Sequence, residues 1–437
     1  MKRNHLSKGF RLALCLALTV SLLLGLWGCK PGLEQGSAEP NDYPAGTLVF
    51  SADGIARLYG EEDGKIKVIK TYENWKDQYY KKDKLPPWHN DRHAVLAVVI
   101  EEGAASHRTD YWFSDFTGLT TVTMPDGISR IGTNMFAGCV NLTSVSLPDS
   151  LAQIAEYAFS GCQKLTDITL PDNVTMIGDS AFYECISLCS ITISDNVTSI
   201  GTDAFSGCEK LTSISLPEGL TSIGDNAFAD CKALTSVAIP ASVTRLGAAA
   251  FISCSELTDV TVLGKITIIG YQTFAGCKKL ANFTMPDSVT EIDSCAFEGC
   301  KSLTELVIPA GVTRIGNLAF SGCAGLSVLD LPSGVTEMGF GVFKGCSGLT
   351  SIKIPTGITY IGAETFSSCS RLTSITIPDN ITLIGYSAFS GCRALTSITF
   401  DGTVAQWNII IRDMLWCSGV PATSVQCSDG QGSLAEN

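Results

Sequence analysis

Residues 208–230 read CEKLTSISLPEGLTSIGDNAFAD, and this 23-residue phrase returns along most of the chain. Cysteine marks it at Cys139, Cys162, Cys185, Cys208, Cys231, Cys254, Cys277, Cys300, Cys323, Cys346, Cys369 and Cys392, with neither insertion nor deletion between neighbours. A phenylalanine stands three residues before each cysteine, from Phe136 to Phe389, and a leucine three residues after each, from Leu142 to Leu395. Columns that share one period are the signature of stacked repeats. Within the phrase, Leu211, Ile214 and Leu216 predict a short half-buried strand, and Pro217, which has no amide to donate, ends it. Leu220 and Ile223 begin a second apolar stretch. Gly224 follows, and its recurrence in most turns suggests either a positive φ or a close backbone approach, although Ala155 and Asp293 take the same place elsewhere. Ala227 and Phe228 then close the turn beneath the next cysteine.

A single turn offers about seven apolar side chains and cannot bury them alone, so the turns must stack into one core. At roughly 4.8 Å per repeat, twelve turns predict a rod or arc on the order of 60 Å long. Its crossovers between parallel strands should be right-handed.

The pattern C-x-x-L-x-x-I-x-I-P…V-T-x-I-G-x-x-A-F-x-x-C, as in CRALTSITF (392–400) and LTSITIPDNITLIGYSAFSGC (372–392), resembles the BspA-like class of bacterial leucine-rich repeats. The resemblance covers roughly residues 94–427. It implies a leucine-rich-repeat solenoid of the α/β horseshoe class, mainly β with short turns or helical pieces. It also implies a surface-displayed protein that adheres to host matrix proteins or to other cells, and it brings no catalytic residue with it.

Outside the repeat, residues 1–28 have the layout of a targeting segment. Lys2, Arg3, Lys8 and Arg11 precede the apolar run LALCLALTVSLLLGLWG. The run ends in Leu26-Trp27-Gly28-Cys29, which resembles a bacterial lipobox and implies cleavage before Cys29 and lipidation of its thiol, although Trp27 is bulkier than the usual small residue. Two or three acyl chains would hold a protein more firmly than one. An ordinary cleaved signal peptide or an uncleaved anchor would equally place the chain outside the cytoplasm. Residues 29–45 read as a flexible tether. Residues 46–93 read as an N-terminal cap, with a hairpin turn at Asp53-Gly54 and a charged connector from 61 that reaches Pro87-Trp88. The solenoid is expected over 94–400. It opens with a degenerate turn in which Phe113 and Leu119 hold their columns and Phe116 replaces the cysteine. Residues 401–437 depart from the period and read as the C-terminal cap and tail, with Cys417 and Cys427 a candidate disulfide in a compartment that permits one.

Removing the four cations of residues 1–28 leaves 26 Lys plus Arg against 43 Asp plus Glu, a formal charge of −17. Such a balance argues against nucleic acid and against an anionic lipid surface as partners. No cofactor is expected. The twelve aligned cysteines invite a metal or redox reading, but no CxxC or Cys-His spacing supports zinc, and a ladder of buried thiols acting as small hydrophobes is favoured. Histidine occurs only at His5, His89, His93 and His107, so the twelve turns lack the partner that a nucleophilic triad requires. His89 and His93 could hold a metal, though a solvated connector is the simpler reading. The recurring N-x-T tripeptides, such as Asn173-Val174-Thr175, belong to the repeat turn.

The outward positions of the strands are mostly Ser and Thr and contain no aromatic residue, whereas binding hot spots favour Trp, Tyr and Arg. That carpet breaks at Glu305, Val307, Val328, Asp330 and Lys353, which form the candidate binding patch. A second column, Asp126, Asp149, Asp172, Asp195 and Glu218, sets one acid just after the strand on five successive turns. It could attract cations or a basic partner, but Pro-Asp-Asn and Pro-Asp-Gly are ordinary turn chemistry. Two functions are therefore expected. One is a lipid-anchored, non-enzymatic adhesion protein that engages protein or other macromolecules on a host or neighbouring cell. The other is a structural or self-associating envelope scaffold.

Overall fold

Thirteen phenylalanine rings, from Phe113 to Phe389, lie one above the next through the centre of the molecule. Successive centroids are 5.2–5.8 Å apart and the rings are within 18° of parallel. The computed structural model describes residues 43–45, 47–51, 56–62, 65–73, 81–102 and 109–434. The targeting segment with Cys29, the tether to residue 42, Asp53-Gly54 and His107 lie outside the described residues.

Around the ring stack the chain winds as a β-solenoid of about 14 turns at roughly 23-residue spacing. Most repeats contribute to two parallel ladders. The first runs through short strands such as Ser190–Thr192, Ser236–Ile239 and Ser374–Ile377, in which the apolar residue points inward and its Ser or Thr neighbours outward. The second pairs two-residue strands such as Met176–Ile177 with Ser199–Ile200. Inside, the Phe, Cys and Leu columns are buried throughout, together with the Ile or Val of most strands.

The glycine before each closing turn is needed for close approach. A Cβ on Gly224 would lie 2.5 Å from the backbone of Gly201 and Thr202. The positive φ occurs two residues later, at Asn226 (53°), and again just before the cysteine, at Gly207 (77°). Asparagine and glycine tolerate that conformation.

The N-terminal end is closed by three strands. β1 (Thr47–Phe50) pairs in parallel with β4 (Ala97–Ile100), so it prolongs the first ladder by one strand. β2 (Ala56–Glu62) and β3 (Lys65–Tyr72) then fold back antiparallel. β3 lies where a charged connector was expected, and the alternation in KIKVIKTY is the reason. Pro87–Asp91 forms a 3-10 helix whose Trp88 is fully buried and donates its indole N–H to the Trp112 carbonyl at 2.7 Å. Phe50 meets Phe113 edge-on at 5.8 Å, which ends the ring stack.

At the other end, residues expected to leave the period carry both ladders one turn further. Ile411–Arg412 pairs with Leu383–Ile384, 28 residues after it, and Val425 pairs with Ile398. The five additional residues are accommodated by the helix Val404–Ile409, whose Thr403 and Gln406 form a reciprocal capping box. Trp416 then closes the ring stack edge-on against Phe389 at 6.1 Å. The chain finishes with an antiparallel hairpin of Val425–Cys427 and Gly430–Gly432.

The strand expected at Ile214–Leu216, in the phrase that reveals the repeat, is absent. Leu216 is buried as expected, but the segment makes no ladder bonds with the strands on either side. The first ladder is likewise open between Ser144–Ser146 and Asp167–Thr169 and around residues 305–308.

Phe251, fully buried between Phe228 and Phe274, tests the stack. Phe251→Ala is expected to cost roughly 3–5 kcal/mol in urea unfolding, and a loss below about 1 kcal/mol would show that the rings do not hold the turns.

Candidate functional site

The strand face presents the hydroxyl carpet outward. Ser190 and Thr192, for example, are exposed on either side of buried Ile191. Glu305, Val307, Val328, Asp330 and Lys353 are all exposed on this face, and Val307 is 83% accessible. The structure brings them together. Glu305, Val307, Val328 and Asp330 line one depression of about 330 Å³, with Leu306, Ile308 and Ser327. Val328 and Asp330 also border a second depression, which adds Lys353. Both fall where the first ladder is open, since Val328 joins Ser351 by a single bridge and residues 305–308 form no strand. The result is two adjoining shallow depressions, the first bordered by exposed Val307 and Val328 with the two carboxylates and the second adding Lys353.

A depression of about 310 Å³ was missed in the sequence. It is lined by Ser144, Val145, Leu147, Asp149, Asp167, Ile168, Thr169 and Pro171 at the other open rung. No column announces it, because an absent hydrogen bond leaves no mark in residue type.

The acidic row Asp126, Asp149, Asp172, Asp195 and Glu218 is fully exposed in the turns after the strands. It is the backbone of these residues that is engaged. Asn173 donates its amide to the Asp149 carbonyl at 2.7 Å, and Asn196 donates to that of Asp172 at 2.8 Å. Among the described residues, no group of three or more His, Cys, Asp or Glu is arranged to hold a metal. Threonines of the N-x-T tripeptides are used in the same way, Thr198 donating to the Thr175 carbonyl at 3.3 Å. His89 packs edge-on against Phe116 at 5.9 Å, and burial lowers its pKa. His93 contacts the Thr117 hydroxyl.

All twelve column cysteines are thiols with one geometry. Each Sγ donates to the carbonyl of the phenylalanine 26 residues earlier, at 3.0–3.3 Å. Burial pushes the thiols of Cys185, Cys277, Cys323 and Cys392 up to about 12 and strongly raises the other eight. A neutral, buried, hydrogen-bonded thiol is a poor nucleophile and a poor metal ligand. Cys417 and Cys427 are also thiols in this structure, with Cys427 buried on the terminal hairpin.

These features define a leucine-rich-repeat solenoid. The repeat profile described as BspA type leucine rich repeat region matches in six copies, over residues 107–197, 175–304 and 290–409. The chain belongs to the BspA-type leucine-rich-repeat family. Among solved structures it is similar to a leucine-rich repeat protein from Bacteroides ovatus, at 28% identity and a TM-score of 0.55, covering 76% of this chain and 95% of that one. It is also similar to a leucine rich cell surface protein from Faecalibacterium prausnitzii, at 28% identity and a TM-score of 0.47, covering 84% and 90%. No curated protein matches.

The thiol ladder gives a pH prediction. The native thiols keep their protons beyond the pH near 8.5 at which unfolded ones ionise, so their contribution is complete below that pH and is lost as pH rises toward the folded values. Stability should fall above about pH 9, by up to roughly 1.4 kcal/mol per pH unit for each thiol. Urea unfolding of the triple variant Cys231→Ala, Cys254→Ala, Cys277→Ala should show a shallower slope, and an unchanged slope would refute this assignment.

Proposed function

We propose that this chain is a surface-displayed binding protein that engages protein or other macromolecules of a host or neighbouring cell. The single observation that carries this reading is the coincidence of the chemical break in the hydroxyl carpet with the open rungs of the first ladder. There, Glu305, Val307, Val328 and Asp330 line one depression, and Val328 and Asp330 line an adjoining one with Lys353. Elsewhere on that face neighbouring turns present much the same hydroxyls, which offers a ligand little to distinguish one turn from the next. At the break, a ligand gains apolar contact with Val307 and a mixed-charge rim that fixes its orientation. The cell-surface description of the Faecalibacterium structure is consistent with display outside the cell. The purified chain is expected to bind saturably to extracellular-matrix proteins or to intact cells. Changing Glu305, Asp330 and Lys353 together to alanine should weaken that binding by at least about tenfold. Binding unaffected by the triple change would remove the patch, and no binding to any surface would favour the scaffold reading, to which the uniform carpet is suited.

Display is proposed to depend on lipid at Cys29, on the strength of Leu26-Trp27-Gly28-Cys29. Mass spectrometry of the mature N-terminus from a native membrane fraction should find an acylated Cys29. An unmodified N-terminus beginning at another residue would exclude the anchor.

A further inference from the structure

The two depressions at the break in the hydroxyl carpet continue into a third. A depression of about 420 Å³ between residues 281–285 and 304–307 shares Glu305, Leu306 and Val307 with the one of about 330 Å³. That one shares Val328 and Asp330 with the depression that takes in Lys353 and extends to residues 374–376. Joined through these residues, the three make one trough that crosses the turns along the solenoid axis. The rings beneath these turns step by 5.5–5.8 Å. The trough is therefore on the order of 20 Å long, the reach of about six extended residues.

Its charges are unspent. Asp330 and Lys353 stand in one column, 23 residues apart. In that same relation Lys232 pairs with Glu209, Lys279 with Glu256 and Arg314 with Glu291. Asp330 and Lys353 make no such pair, and among the described residues neither their side chains nor that of Glu305 has an ion-pair or hydrogen-bond partner. All three are exposed, as are Val307 and Val328 between them.

We infer that the trough takes a polypeptide segment of the partner, laid across the turns. The segment carries an aliphatic and a basic side chain close together, with an acidic one further along. This rests on the binding role proposed above and gives that role its ligand chemistry. The aliphatic group meets Val307 and Val328, the basic one meets the carboxylates of Glu305 and Asp330, and the acidic one meets the Lys353 ammonium one turn beyond. Charge complementarity selects this occupant. A nucleic acid would bring its phosphates against two carboxylates and a single ammonium. The one aromatic among the lining residues, Phe283, is buried, so the trough presents no ring face on which a base could stack. A neutral glycan matches none of the three charges, and the hydroxyls of the other turns would serve it equally well. Side chains of a protein supply all three partners within a few residues. Exposed charges of this kind fix orientation and partner choice more than affinity.

A random dodecapeptide library displayed on phage, panned against the purified full-length chain, tests this. Enriched peptides should place an aliphatic residue beside arginine or lysine, with aspartate or glutamate a few residues to one side. In fluorescence anisotropy the labelled consensus peptide should bind Lys353→Glu and, separately, Asp330→Lys at least about tenfold more weakly. Both substitutions are at exposed positions, so far-UV signal and melting temperature should stay at wild-type values. A peptide whose acidic residue is replaced by lysine should recover the lost affinity on Lys353→Glu, which damage to the fold could not produce. Enrichment without that charge pattern, no enrichment at all, or a consensus affinity unchanged in both variants overturns the proposal. If no peptide is selected while the chain still binds matrix proteins or cells through Glu305, Asp330 and Lys353, the polypeptide ligand falls and the binding role stands. If both kinds of binding are absent, both fall.

Discussion

The 23-residue period is enforced by the requirement that each buried phenylalanine ring land on the ring of the turn before it. A one-residue insertion would rotate the next ring out of the stack and drag the cysteine and leucine columns with it, because the three are only three residues apart. Length variation appears where that requirement ends. Phe389 is the last ring to lie flat on its neighbour, and only beyond it, where Trp416 packs edge-on, does the chain admit five additional residues as the helix Val404–Ile409. The thiols and threonine hydroxyls reinforce the same register, since both donate to carbonyls of the preceding turn. A cysteine at that place fills the core as a small hydrophobe while adding a second donor to a phenylalanine carbonyl that already accepts the backbone N–H three residues on.

The strand face is shaped by the first ladder. That ladder is interrupted between Ser144–Ser146 and Asp167–Thr169 and around residues 305–308, while the second ladder runs unbroken from Arg130 to Leu246. Depressions of the strand face lie at both interruptions. Whether a depression can bind something depends on the side chains at that turn. Near residues 305–330 the outward positions carry valines and charges, whereas at Ser144–Thr169 they carry mostly hydroxyls.

Most of the fold was legible because repetition averages over local ambiguity. One phrase would not have decided between strand and loop at Ile214–Leu216, and there the local expectation of a strand was indeed not met. Twelve copies left no doubt about the stacking. The degenerate first turn was legible for the same reason, with Phe113 stacking on Phe136 and Phe116 fully buried. β3 was hidden because its three lysines sit within a charged stretch, although Ile66 and Val68 alternate with lysines as a strand requires. The final turn was hidden because its period is 28 residues and its ring is a tryptophan. For the site, the clustering of Glu305, Val307, Val328 and Asp330 followed from their shared columns, while the open rungs beneath them leave no mark in residue type.

A core made of one repeated phrase moves all individuality to the positions that face water. The columns that differ from turn to turn are therefore where selection for partners can act without disturbing the stack. On the strand face the hydroxyl pattern breaks near residues 305–353, where two adjoining depressions carry valines, two carboxylates and one ammonium. Shallow depressions with a few charges are poorly suited to tight one-to-one binding, whereas a ligand that also touches neighbouring turns gains the higher effective concentration of a multivalent contact.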